Sequence, residues 1–262
     1  MNKLNVSKKD TYPTPKLVNS SKIILATVFL MNMSTANAAI SLDRTRAIIN
    51  GNDKSISLNI SNENKKLPYL AQGWIENVQG EKINEPFTVL PPVQRVEPGD
   101  KSQIRIQPLA NVAKLPQDIE SVYYFNLREI PPRSDKANTL QLALQTRIKL
   151  FYRPTSIIPT KNDIDNPWQE KLVLKQQGGK YIAFNPTPYY ITIIDAATKI
   201  KGDTVKGFEP VMIAPKNSQP LGVDVATLGN TPVLTYINDY GGRPNLSFNC
   251  QANECKVSPS NK

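Results

Sequence analysis

From Ala39 onward the chain alternates apolar and polar positions in short runs. In "SISLNISN", single polar residues separate Ile56, Leu58 and Ile60, the period-2 mark of a half-buried strand. The segments "PYLAQGWIENV", "PFTVLPPVQRV", "KSQIRIQPL" and "SVYYFNLREI" extend the pattern, with turns at "NGND", "VQGEK", "EPGDK" and "PPRSDKAN". The longest run is "TLQLALQTRIKLFYRP", where Leu140, Leu142, Leu144, Thr146, Ile148 and Leu150 alternate with mostly polar neighbours. It predicts one strand over Thr139 to Pro154, roughly 50 Å long at about 3.4 Å per residue, against a usual length of about five or six residues. A long apolar strand closing a sandwich domain tends to lie at an edge, where its free N–H and C=O groups invite another chain.

After Pro154 the periodicity fades. "TSIIPTKNDIDNPW" reads as a linker, and strand-like runs resume at "KLVLKQ", "KYIAFNP", "YYITII", "FEPVMIAP", "PVLTYIND", "NLSFNC" and "CKVS". No amphipathic helix of useful length is predicted, and 22 prolines in 262 residues interrupt the chain too often for one. The fold class is therefore all-β, with sandwich domains over 39–157 and 168–262 and a linker over 158–167.

The first 38 residues change the picture. Five lysines and one aspartate, an apolar run from Ile23 to Met33 and the small-x-small triplet Ala36-Asn37-Ala38 form the layout of a cleaved secretory signal, with the mature chain starting at Ala39. About eleven apolar residues are too few for a spanning helix, so no stable membrane insertion is expected. Removing that segment lowers the net charge from +10 to +6, and the basic residues are scattered without interleaved aromatics, which argues against nucleic acid. Export also makes sense of two closely spaced cysteines, Cys250 and Cys255, as one disulfide closing a terminal hairpin.

Catalysis finds little support. There is no histidine, so a Ser-His-Asp or Cys-His system is ruled out, and the cysteines alone are too few for a metal site. No P-loop or dinucleotide fingerprint occurs, and "QQGGK" and "DYGGRP" read as turns. A glycosidase-type carboxylate pair stays open, since acidic residues occur throughout. The expectation is a binding protein, not an enzyme, needing no cofactor.

The segments "SLDRTRAII", "PYLAQGWIEN", "PPVQRVEPGDKS", "YYFNLREIPPR", "LQLALQTRIKLFYRP", "NPTPYY" and "YINDYGGRPNLSF" together resemble the periplasmic pilus chaperones over essentially all of the mature chain. The resemblance implies two immunoglobulin-like domains set in an L around a cleft, and a periplasmic protein that lends its long edge strand to pilin and adhesin subunits lacking their own final strand. It places Arg46 and Lys149 as the cleft cations that grip the subunit's C-terminal carboxylate, and Leu140, Leu142 and Leu144 as the residues inserted into the subunit's groove. It further implies an interdomain charge cluster of Glu120, Arg153 and Asp239, and an outer-membrane usher docking around Leu70, Gln72, Pro92 and Arg105.

Three points remain open at this stage. Lys149 and the leucines have opposite parity, so a regular strand puts them on opposite faces unless a bulge or strong twist intervenes. The Pro91-Pro92 bond is a candidate for the cis form. Self-association of the free protein through its edge is open as well. The competing function is a structural pilin or adhesin of the same fold, although a pilin should carry a donor extension where Ala39 here enters strand-like sequence.

Overall fold

A computed structural model describes residues 38–136 and 138–258. The secretory-signal segment expected over residues 1–38 lies outside them, apart from Ala38. Ten strands precede Pro154: β1 (Ile40–Leu42), β2 (Arg46–Asn50), β3 (Ile56–Asn62), β4 (Tyr69–Glu76), β5 (Lys82–Ile83), β6 (Phe87–Leu90), β7 (Val93–Val96), β8 (Lys101–Pro108), β9 (Ser121–Ile130) and β10 (Gln145–Arg153). They form a four-stranded sheet, β1-β3-β8-β6, and a six-stranded sheet, β2-β10-β9-β4-β5, with β7 also on β4.

Alternation drives the packing. Leu58 and Ile60 of β3 and Ile104 and Ile106 of β8 are buried while Asn59, Gln103 and Arg105 between them are exposed. These side chains meet Ala71, Ile75, Phe125 and Leu127 from the other sheet in one core. Gly73 of β4 lies close against Val89 of the facing sheet: a Cβ there would stand 2.9 Å from Val89 Cγ1, so only glycine fits without displacement.

The second half holds β11 (Val173–Gln177), β12 (Lys180–Phe184), β13 (Ile191–Ala197), β14 (Val211–Ile213), β15 (Ser218–Asp224), β16 (Val233–Tyr236), β17 (Asn245–Gln251) and β18 (Glu254–Val257). They pair in the order β14-β13-β16-β17-β18-β11-β12-β15 around a separate core that includes Leu174, Tyr181, Ile193, Leu234 and Phe248. Cys250 and Cys255 face each other across the β17–β18 hairpin and are joined as a disulfide, as the spacing predicts.

Two features depart from the sequence reading. The segment read as linker contains a short helix, α1 (Lys161–Asp165), whose start is fixed by a reciprocal capping box between Thr160 and Asp163. The cis bonds fall at Glu85-Pro86 and Leu90-Pro91, not at Pro91-Pro92.

The larger correction concerns the long strand. β10 runs over nine residues, Gln145 to Arg153, not sixteen. Its ladder with β9 begins at Gln145↔Arg128, and upstream of it only the Leu144 carbonyl, bonded by the Glu129 N–H at 3.0 Å, continues the pairing. Alternation predicts which side chains share a face. It says nothing about whether a neighbouring backbone is there to bond.

Candidate functional site

β2 lies parallel to β10 in the register Arg46↔Lys149, Ile48↔Phe151, Asn50↔Arg153. Ala47, Ile49, Leu150 and Tyr152 point into the first core, so the alternate residues form the opposite face. That face is covered by the second domain: Phe151 is buried against Tyr190, ring centroids 6.0 Å apart, and the face carries charged groups at both ends.

At one end stand Arg46 and Lys149. Arg46 is buried, its Nη1 donating to the Ile237 carbonyl at 3.2 Å while its Nε has no partner. Lys149 Nζ donates to Thr192 Oγ1 at 3.0 Å. Neither cation forms an ion pair among the described residues. Burial, reinforced by the neighbouring Arg46 charge, pulls the Lys149 ammonium down to about 8. Burial likewise lowers Arg46, against the pull of Asp239 and Glu120. Two half-desolvated cations side by side without an anion form a site for a carboxylate, which offers each of them an acceptor.

At the other end the charges are matched. Arg153 Nε donates to Glu120 Oε1 at 2.7 Å, and its Nη1 and Nη2 donate to Asp239 Oδ2 and Oδ1 at 2.6 and 2.8 Å. The second Glu120 oxygen accepts the Tyr190 N–H at 2.7 Å, and the guanidinium lies over Trp168 and Tyr189. Glu120 and Arg153 are 2% and 4% exposed, so this cluster is buried and not a set of solvated pairs. Burial pushes the Glu120 carboxyl up to about 7 in spite of Arg153. Burial also acts against the Arg153 charge, but its bonds to Asp239 and the Glu120 charge hold its pKa above the usual value.

Leu140, Leu142 and Leu144 are 83%, 68% and 47% exposed, with no opposing sheet. The β9–β10 register runs without a shift from Gln145 to Tyr152, so no bulge intervenes in that stretch. Within β10, Ile148 and Leu150 face the first domain's own core and Lys149 lies on the opposite face; Leu140, Leu142 and Leu144 precede the strand, so its alternation does not extend to them. On its β2 side, β10 is paired only from Lys149 onward, so residues 145–148 present an open edge among the described residues.

The remaining predicted residues form a second surface. Leu70 and Gln72 lie on β4, paired through β7 with Arg95 and Val93, and Gln72 Oε1 accepts from Arg128 Nη2 at 2.7 Å. The Pro92 carbonyl accepts the Gly73 N–H at 2.9 Å, and Pro92 and Arg105 line one shallow depression with Leu90 and Ser57. Sequence reasoning missed that Leu67, Leu90 and Val93 are also exposed, 46%, 44% and 43%. It also missed Thr192, Tyr190 and the Ile237 carbonyl, whose roles come from a tertiary approach that leaves no local pattern.

Comparison with known proteins places both halves of the chain in one family. Residues 39–158 match the family described as "Pili and flagellar-assembly chaperone, PapD N-terminal domain", and residues 167–248 match "Pili assembly chaperone PapD, C-terminal domain". The chain is 53% identical to chaperone protein PapD of Escherichia coli over 90% of its length and 97% of that protein. It is 47% identical to chaperone protein PmfD of Proteus mirabilis over 88% of its length and 91% of the relative. Among solved structures, the periplasmic chaperone SfaE superposes with a TM-score of 0.62 at 30% identity, covering 79% of this chain and 98% of SfaE.

Proposed function

This chain belongs to the PapD family of pili assembly chaperones, and on that premise we propose that it captures pilin and adhesin subunits by donating the open edge of β10 in place of the final strand they lack. The family role is that of a chaperone, a non-enzymatic one, and its relatives imply a periplasmic location. The relatives favour this reading over that of a structural pilin or adhesin. Export through a leader cleaved before Ala39 is the matching route.

One observation carries the capture reading: the open edge leads directly to a buried arginine and a half-buried lysine that lack an anion among the described residues. β2 occupies one side of β10 from Lys149 onward and runs parallel to it. A subunit strand occupying the same side upstream, and running in the same direction, ends at Arg46 and Lys149. Its last residue then delivers a C-terminal carboxylate to the two cations. Leu140, Leu142 and Leu144 supply the apolar face that a sandwich lacking one strand needs, each contributing roughly 1.5 to 3 kcal/mol when fully buried. The Leu70, Gln72, Pro92 and Arg105 surface, with exposed Leu67, Leu90 and Val93 around it, is the part we assign to the outer-membrane usher.

The test is co-expression of a candidate pilin with wild type or Arg46→Ala, followed by co-purification. A one-to-one complex with wild type and none with a folded Arg46→Ala variant supports capture through the cation pair. A complex that survives the substitution unchanged rejects the anchor, and the absence of a complex with any pilin rejects capture itself.

A further inference from the structure

β13 begins with three buried residues in succession, Ile191, Thr192 and Ile193. Ile191 and Ile193 belong to the second core, which puts Thr192 on the opposite face. On a sandwich standing alone that face is solvated. Here Thr192 is 6% exposed, because the first domain closes over it. A hydroxyl taken out of water needs a partner, and the described partner of this one is the Lys149 ammonium at 3.0 Å. The backbone of the same residue ties the other cation in: the Thr192 carbonyl accepts the Ile237 N–H at 3.0 Å, and the Ile237 carbonyl accepts from Arg46 Nη1 at 3.2 Å. A single junction of the second domain therefore touches both cations of the first.

Resting on the carboxylate-anchor reading above, we propose that Thr192 is a positioning residue of that anchor, holding the Lys149 ammonium beside the Arg46 guanidinium so that both meet one carboxylate. Lysine is a point charge on a flexible stem, and side by side with Arg46 it is repelled toward solvent. The hydroxyl fixes it by accepting one of its three protons, leaving two for an incoming anion. The second domain thereby shares in recognising the chain end, a task that the cations alone do not complete.

The experiment uses the full mature chain and two synthetic probes: a ten-residue peptide of alternating apolar and polar residues with a free C-terminal carboxylate, and the same peptide as its carboxamide. Wild type binds the carboxylate form at least tenfold more tightly. Thr192→Val, nearly isosteric, loses about tenfold for the carboxylate peptide and nothing for the amide, as expected for one bond to a charged group. Thr192→Ser restores the preference to within about twofold, and in a Lys149→Met background Thr192→Val has no further effect. A Thr192→Val protein that keeps the wild-type preference, or that weakens both peptides equally, overturns the proposal and leaves the anchor intact. A wild type that does not distinguish the two peptides overturns the anchor and the proposal with it.

Discussion

Arg46 and Arg153 stand at opposite ends of one two-stranded face, both buried, and differ in what faces them. Arg153 meets Glu120 and Asp239 and spends three of its nitrogens on them. Arg46 meets a lysine in register and one backbone carbonyl. The matched arginine joins two domains. The unmatched one keeps its binding capacity for a group that arrives from outside. Burial alone does not separate a structural charge from a recognition charge; the count of opposing charges around it does.

That contrast can be broken in four ways. The largest effect belongs to Arg153→Ala, which strands the buried Glu120 carboxylate and leaves the partly exposed Asp239 unpaired, and should lower the free energy of unfolding by about 3 to 5 kcal/mol, read by denaturant titration. Arg46→Ala should change that same quantity by no more than about 1 kcal/mol while costing about 2 to 5 kcal/mol in subunit affinity. Equal losses of stability in the two variants would erase the distinction between the two ends. Next, Leu142→Glu should weaken capture by about 2 kcal/mol and leave the melting temperature within a degree or two, since Leu142 is 68% exposed before any partner binds. Unchanged capture would show that this face stays outside the complex.

The smallest effect per step is a pH dependence, counted per pH unit, in which binding and stability move in opposite directions. Lysine in the unfolded chain titrates near 10.5, whereas Lys149 in the fold titrates near 8. Between those values the unfolded state holds the extra proton, so the contribution of Lys149 to stability rises with pH through that window. Capture falls over the same window, by up to tenfold per pH unit above about 8, because a neutral amine no longer attracts the carboxylate. Both are read as differences between wild type and Lys149→Met; a binding difference that is flat from pH 7 to 10 would remove Lys149 from the anchor.

The sequence made much of the fold legible. Ile56, Leu58 and Ile60 announced a strand and are one, and the spacing of Cys250 and Cys255 announced a hairpin staple. In both cases the signal is local and the structure that answers it is local. The failures share the opposite character. Thr139 to Leu144 has the alternation of a strand and no neighbour to make it one, because pairing is a property of two segments. The parity conflict between Lys149 and the leucines assumed one continuous strand, and β10 begins only at Gln145, after the leucines. Local pattern does not tell Arg46 and Arg153 apart, because partners lie 191 and 86 residues away along the chain, and only the family resemblance assigned them different roles. The helix at Lys161–Asp165 was in plain view, since Thr160 and Asp163 have capping-box spacing, but five residues are too few to raise a periodic signal.

The place where β2 begins has one more consequence. An exposed apolar strand is normally a seed, since each strand added to it offers a fresh edge and growth continues. Here the vacant half of the edge is a berth closed at its far end: β2 fills the lane from Arg46 onward, and the charge pair stands at the barrier. A polypeptide passing through has no lane to continue in, and one that presents an interior peptide bond brings no charge to the barrier. On the proposed capture reading only a chain that stops there fits, and the same edge that could nucleate a fibre would act as a detector of chain ends that admits one guest at a time.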